Sequence, residues 1–119
     1  MKKTVVLGAS DNPARYSYLA VEKLNRYNHT VIAIGKKEGK AGSTNVITGR
    51  PDEKDVDTIT LYLNPQLQKQ YYDYIMSLHS KRIIFNPGTE NDELQAIAKA
   101  NQIQSLEACT LVLLGTGQY

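Results

Sequence analysis

The chain has 119 residues, 41% of them hydrophobic, and 14 Lys and Arg against 12 Asp and Glu give a formal net charge of +2. That length has room for one domain with a modest core, residues 1–119, and so mild a charge does not by itself argue for a nucleic-acid footprint, so any anion site must be local and no nucleic-acid partner is expected. A single cysteine, Cys109, excludes an internal disulfide, and no apolar run approaches the roughly 20 residues that span a bilayer. The chain therefore reads as a soluble, non-membrane protein of a reducing, cytoplasmic compartment.

Thr4 to Leu7 is a β-branched and leucine run stopped at Gly8, the pattern of a strand buried on both faces. From Tyr16, apolar Leu19, Ala20, Leu24 and Tyr27 recur at helical spacing, and Asn28 suits the left-handed position that ends a helix. Thr30 to Ile34 is a second buried strand closed by Gly35, and the helix before it supplies the crossover that parallel pairing requires. Lys36 to Asp55 is rich in glycine and charge and reads as a surface loop, with at most a brief strand at Val46-Ile47.

Val56 to Leu63 is a third strand, ended by Asn64-Pro65. Gln66 to His79 places Leu67, Tyr71, Tyr74, Ile75 and Leu78 on one face of a helix. Arg82 to Phe85 is a strand stopped by Asn-Pro-Gly-Thr, and Asn91 caps a helix through Asn101 whose apolar face is Leu94, Ile97 and Ala98. Ile103 to Leu106 is a last short strand, and the apolar tail CTLVLLG takes no clear assignment. Strands alternating with helices predict an α/β fold: a three-layer, doubly wound, mostly parallel sheet of five to six strands with helices on both faces.

Ligands of such sheets bind beyond the carboxyl ends of the strands, where the loops GASDNPAR, GKK, LNP and NPGTEN would gather. Gly8 removes a β-carbon where a phosphate must approach backbone, and the next helix offers free N–H groups and a positive dipole end. Ser10 and Ser17 add hydroxyls, and Arg15 can present a bidentate fork. Equally, Gly8 and Asn12-Pro13 can do no more than shape a turn, because the second and third glycines of the dinucleotide fingerprint are missing. Ile34-Gly-Lys-Lys37 lacks the carboxylate that an NAD ribose requires. Lys36 and Lys37 suit a phosphorylated ribose, as in NADP or coenzyme A, or else are solvated loop charges.

Asn64 in the LNP turn, and Asn86, Pro87, Gly88 and Thr89 in the NPGT turn, stand at the same edge, as architecture or as ligand contacts. Cys109 is either a small buried apolar residue or a reactive thiol near that edge. His29 and His79 have no second ligand at metal spacing, and Tyr71, Tyr72 and Tyr74 are packing or homodimer material.

Together VLGASDNPARYS, VIAIGKK, NPGTEN and the CTLVLL tail resemble the small single-domain CoA-binding proteins of Rossmann-like fold, and are similar to the N-terminal domain of the succinyl-CoA synthetase α subunit. The resemblance covers nearly the whole chain and is strongest in the Gly-Ala-Ser turn followed by Arg15 and Ser17. It implies that Gly8, Ala9, Ser10, Arg15 and Ser17 cradle the nucleotide phosphates, and that the segment after the second strand borders ribose and adenine. Here that segment reads Gly35-Lys36-Lys37, without the family's proline. The pantetheine arm would pass the NPGT turn, and Cys109 matches a family cysteine. The synthetase's second domain with its phosphorylated histidine has no counterpart, so phosphoryl transfer by this chain alone is not expected. The resulting expectation is a CoA or acyl-CoA binding protein, non-catalytic or regulatory. The alternatives are an NADP-dependent or Cys109 thiol-dependent acyl-CoA enzyme, and an interaction protein that kept the fold without the ligand.

Overall fold

The structure, a computed structural model, describes all residues from Met1 to Tyr119. One sheet holds seven strands: β1 (Thr4–Leu7), β2 (Val31–Ile34), β3 (Gly39–Ala41), β4 (Thr44–Ile47), β5 (Thr58–Leu61), β6 (Arg82–Phe85) and β7 (Gln104–Glu107). Their order is β3-β4-β2-β1-β5-β6-β7, parallel throughout except for β3 on β4. The chain builds outward from β1 on one side, then returns to the other side with β5. That reversal leaves a crevice between the carboxyl ends of β1 and β5.

Helices α1 (Tyr16–Arg26) and α5 (Thr110–Gly115) cover one face, burying Val21, Leu24 and Leu114 against Val6, Ala33 and Val46. The short α2 (Pro65–Gln68), α3 (Tyr72–Ser77) and α4 (Asp92–Ala100) lie on the other. There Tyr74, Ile75, Leu78, Leu94 and Ala98 pack on Val5, Leu7, Ile59, Leu61, Ile83 and Phe85. The central strands β1 and β5 are buried at every position; β1 reads as a mostly apolar run, whereas β5 buries Thr58 and Thr60 with their hydroxyls hydrogen-bonded.

Several expectations change. The sheet has seven strands rather than five to six, because the presumed loop after Lys36 contains a hairpin, β3 and β4, closed by Gly42-Ser43. Its single buried valine, Val46, pairs beside Ala33, so the hairpin shields an otherwise open edge of β2. The unassigned tail is α5, which buries only Thr110 and Leu114 and leaves Val112 exposed.

The segment from Gln66 is not one helix. A 3-10 turn over Lys69–Tyr71 separates α2 from α3, and its tighter three-residue period shifts the phase. Gln68 is consequently buried, and Leu67, assigned to the core by helical spacing, is 46% exposed. The third and last strands are also shorter or shifted, at Thr58–Leu61 and Gln104–Glu107.

At the amino-terminal edge of the sheet, away from the crevice, Tyr119 folds back over the strands. The Arg82 guanidinium lies 4.5 Å over its ring, His29 packs against it at 4.9 Å, and its hydroxyl shares a hydrogen bond of 2.6 Å with Thr4.

Candidate functional site

The crevice between β1 and β5 is a groove of about 540 Å³. Its floor and walls come from four loops: Gly8-Ala9-Ser10 with Arg15, Tyr16 and Ser17; Ile34 to Lys37; Tyr62 to Asn64 with Leu67, Gln70 and Tyr71; and Pro87-Gly88-Thr89. Eleven of the thirteen residues expected at the site line it, brought together from four separate loops: Gly8, Ala9, Ser10, Arg15, Ser17, Lys36, Lys37, Asn64, Pro87, Gly88 and Thr89.

Gly8 is required by its own backbone. It adopts φ +99°, and a β-carbon there would sit 2.9 Å from the Tyr62 carbonyl carbon. The missing side chain thus lets β1's exit pack on β5's exit, rather than opening space to the groove. The N–H groups of Gly8 and Ala9 both donate to the Ile34 carbonyl at 2.9 Å, so neither faces a ligand unpaired. The N–H groups of Ser10, Tyr16 and Ser17 have no acceptor within the chain.

The start of α1 differs from that of α4. In α4 the Asn91 side chain accepts from Leu94 N–H at 3.1 Å, and Asp92 and Glu93 occupy the first turn. In α1 the residue at the cap position is Arg15, whose side chain caps nothing, and the first turn holds no acid. The Ser17 side chain is 4% exposed and its hydroxyl has no hydrogen-bond partner within the chain. Free N–H groups, a positive dipole end, an unpartnered hydroxyl and an exposed guanidinium converge on one wall, the chemistry of an anion site. Lys36 and Lys37 stand exposed beside it, and Lys37 makes only a loose 3.9 Å pair with Asp11.

Two expected contacts lie elsewhere. Asn12 does not line the groove; its Oδ1 accepts from Ala14 N–H at 3.0 Å, and its own N–H donates to Ser10 Oγ, so it shapes the turn. Asn86 is 2% exposed and wholly engaged. Its Nδ2 donates to Thr60 Oγ1 at 2.7 Å and to the Leu61 carbonyl at 2.8 Å, and its Oδ1 accepts from Thr110 N–H at 2.9 Å. It ties β6 to β5 and α5. Within the lining, Asn64 caps α2 by accepting from Leu67 N–H at 2.9 Å, and Thr89 Oγ1 donates back to the Asn86 carbonyl.

Sequence reading missed the apolar wall: Tyr16, Tyr62, Leu63, Leu67 and Tyr71. Tyr62 and Leu63 directly follow β5 at the switch point, a position that could have flagged them. Burial pushes the Tyr62 hydroxyl's pKa up, with the neighbouring Thr110 and Thr60 opposing. Cys109, the residue before α5, is not part of the groove's lining. The tyrosines expected at a dimer contact are engaged within the chain. Tyr74 donates to the Pro51 carbonyl, Tyr72 donates to Glu93 Oε1, and Tyr71 lies 4.7 Å beneath the Arg50 guanidinium.

A parallel sheet reversed about β1, with helices on both faces and its groove at the carboxyl ends of the strands, is a Rossmann-like α/β domain. Within that class the chain belongs to the CoA-binding domain family, whose model matches residues 2–115. The crystal structure of a protein described as uncharacterized is 49% identical over 100% of this chain and 98% of that one, with a TM-score of 0.97. A protein from Thermus thermophilus is 16% identical, covering 99% and 90% of the two chains with a TM-score of 0.85. A conserved hypothetical protein from Pyrococcus furiosus is 24% identical, covering 94% and 98% with a TM-score of 0.81. These last two similarities are ones of fold. Among curated proteins, no sequence matches significantly. No helix is long and apolar enough to cross a membrane.

Proposed function

We propose that this chain binds coenzyme A or an acyl-CoA in the groove and carries out no chemical step of its own, serving as a binding or regulatory module. The observation that carries the reading is the start of α1: an uncapped, acid-free helix end with free N–H groups at Tyr16 and Ser17, beside Arg15. An anion there gains charge-assisted hydrogen bonds that the chain does not supply to itself. The pyrophosphate lies on Ser10, Ser17 and the helix end, with Arg15 as its counter-charge, and Lys36 and Lys37 face the ribose phosphate. The pantetheine arm runs between Leu63-Asn64-Leu67 and Pro87-Gly88-Thr89. Membership of the CoA-binding domain family supports coenzyme A over other nucleotides.

Calorimetric titration with coenzyme A, NADP and NAD tests the reading. Coenzyme A is expected to bind best and NAD worst, since Gly35-Lys36-Lys37 directly after β2 offers no carboxylate to receive a bare ribose and Glu38 lies outside the groove lining. No binding below millimolar concentration, or NAD binding best, overturns it, and NADP binding best would move the assignment to the phosphorylated dinucleotide.

A further inference from the structure

Gln68 is a large polar side chain with no exposed surface, an unusual state for glutamine. Its Nε2 donates to two backbone carbonyls, Leu63 and Thr89, each at 2.8 Å. Leu63 belongs to the loop after β5 and Thr89 to the loop after β6, and both residues line the groove. One amide nitrogen therefore bridges the two loops on that side of the crevice.

The orientation of this amide is determined by its surroundings. Carbonyl oxygens only accept, so the nitrogen must face Leu63 and Thr89 and Oε1 must face away. Oε1 accepts from Asn91 Nδ2 at 2.8 Å, and the same Nδ2 donates to the Tyr72 hydroxyl at 2.9 Å. Asn91 is held in turn because its Oδ1 accepts from Leu94 N–H at the start of α4. Backbone groups at both ends thus fix a chain of two side-chain amides, with every polar atom satisfied. The phase shift at the 3-10 turn places Gln68 here and turns Leu67 toward the groove instead.

Resting on the assignment of the groove to coenzyme A, we propose that Gln68 is a positioning residue. It sets the spacing between the loops after β5 and β6, and so holds the wall along which the non-nucleotide arm of the ligand lies. It touches no ligand atom. The α1 side of the groove, which takes the phosphates, is independent of it.

The test compares coenzyme A with 3′,5′-adenosine bisphosphate, which carries the nucleotide and lacks the arm. In Gln68→Met the side chain keeps its length and loses both donors. Its affinity for coenzyme A should fall on the order of tenfold while that for the bisphosphate stays within about twofold. A second variant, Gln68→Glu, keeps the length and shape of the side chain and sets a carboxylate oxygen where Nε2 donates, so both carbonyl contacts are lost and the same selective loss is expected. Amide hydrogen exchange on the Gln68→Met protein without ligand should quicken together at Tyr62 and Thr89, whose N–H groups donate to the Leu7 and Asn86 carbonyls, and remain unchanged across Ser10 to Ser17.

Equal losses for both ligands, or none for either, overturn the proposal, as does exchange that quickens at neither loop. If the unsubstituted protein fails to bind coenzyme A, the functional assignment falls by that result. The exchange experiment then still decides whether Gln68 bridges the two loops.

Discussion

Asn86 shows how a residue at the right edge of a sheet can serve structure instead of ligand. All three of its amide hydrogen bonds stay inside the chain, reaching Thr60, the Leu61 carbonyl and Thr110 N–H. Replacing it by alanine strands the Leu61 carbonyl and the Thr110 N–H without partners in a buried place. Asn86→Ala should therefore cost about 3 kcal/mol, read as a lowered midpoint in urea, with any folded fraction still binding coenzyme A. An unchanged midpoint combined with lost binding would restore Asn86 to the ligand contacts. Gly8 teaches a related lesson. The sequence shows that a glycine ends β1, and the fold shows that Tyr62's backbone, rather than a phosphate, occupies the place of its side chain.

Among the elements, α1 and α4 begin in opposite ways, and that contrast supplies a test. α4 satisfies its first turn internally through Asn91. α1 leaves its first turn open. In Arg15→Asp a carboxylate stands where it can accept from the first N–H groups of α1, supplying the absent cap and a favourable charge at the dipole's positive end. Thermal unfolding should then show a gain of roughly 1 kcal/mol, while coenzyme A binding is lost to the same carboxylate. A variant that gains stability and still binds as before would remove the anion from the start of α1.

The elements differ in how far the sequence discloses them. β1, α1, β6 and α4 are legible because period and end signals agree: apolar runs stopped by glycine or Asn-Pro, Asn28 at φ +66°, and Asn91 as a cap. The β3–β4 hairpin is obscured by charge, although Gly42-Ser43 ahead of Thr-Asn-Val-Ile is a two-residue turn signal. The break between α2 and α3 is not legible. Helical spacing favours Leu67 inward, and Gln68 goes in instead because partners distant in sequence, the Thr89 carbonyl and Asn91, receive its amide. Likewise, the Gly8-Ala9-Ser10, Arg15 and Ser17 part of the lining is visible through its motif, whereas the Tyr62 and Leu63 wall depends on which strands become neighbours.

Across the whole molecule, the groove and the acid-sensitive cluster occupy opposite edges of the sheet. His29 lies beside Tyr119 and accepts a hydrogen bond from Lys2 N–H at 2.9 Å. Its pKa is lowered from 6.5, first by burial, then by the N-terminal ammonium, Lys2 and Arg82, with Asp57 opposing. The folded state therefore prefers the neutral ring. This contribution to stability is complete above an unfolded pKa of about 6.5 and is lost as pH falls through the lower folded value. Between pH 8 and pH 5 the unfolding midpoint should decline more steeply in the parent than in His29→Gln, and equal slopes would exclude His29 as a cause. The side chain is remote from the groove lining, so coenzyme A affinity measured in the same series should not follow the His29 substitution.

The Ile34 carbonyl that receives both Gly8 and Ala9 has a further consequence. Those two bonds and the contact of Gly8 on Tyr62 hold the first loop in one shape through contacts within the chain. Conformational freedom that many nucleotide-binding loops surrender on meeting their ligand has here been surrendered during folding. On the proposed reading, a ligand docks here onto a preformed loop, so free and bound backbones are expected to superpose along residues 8–10.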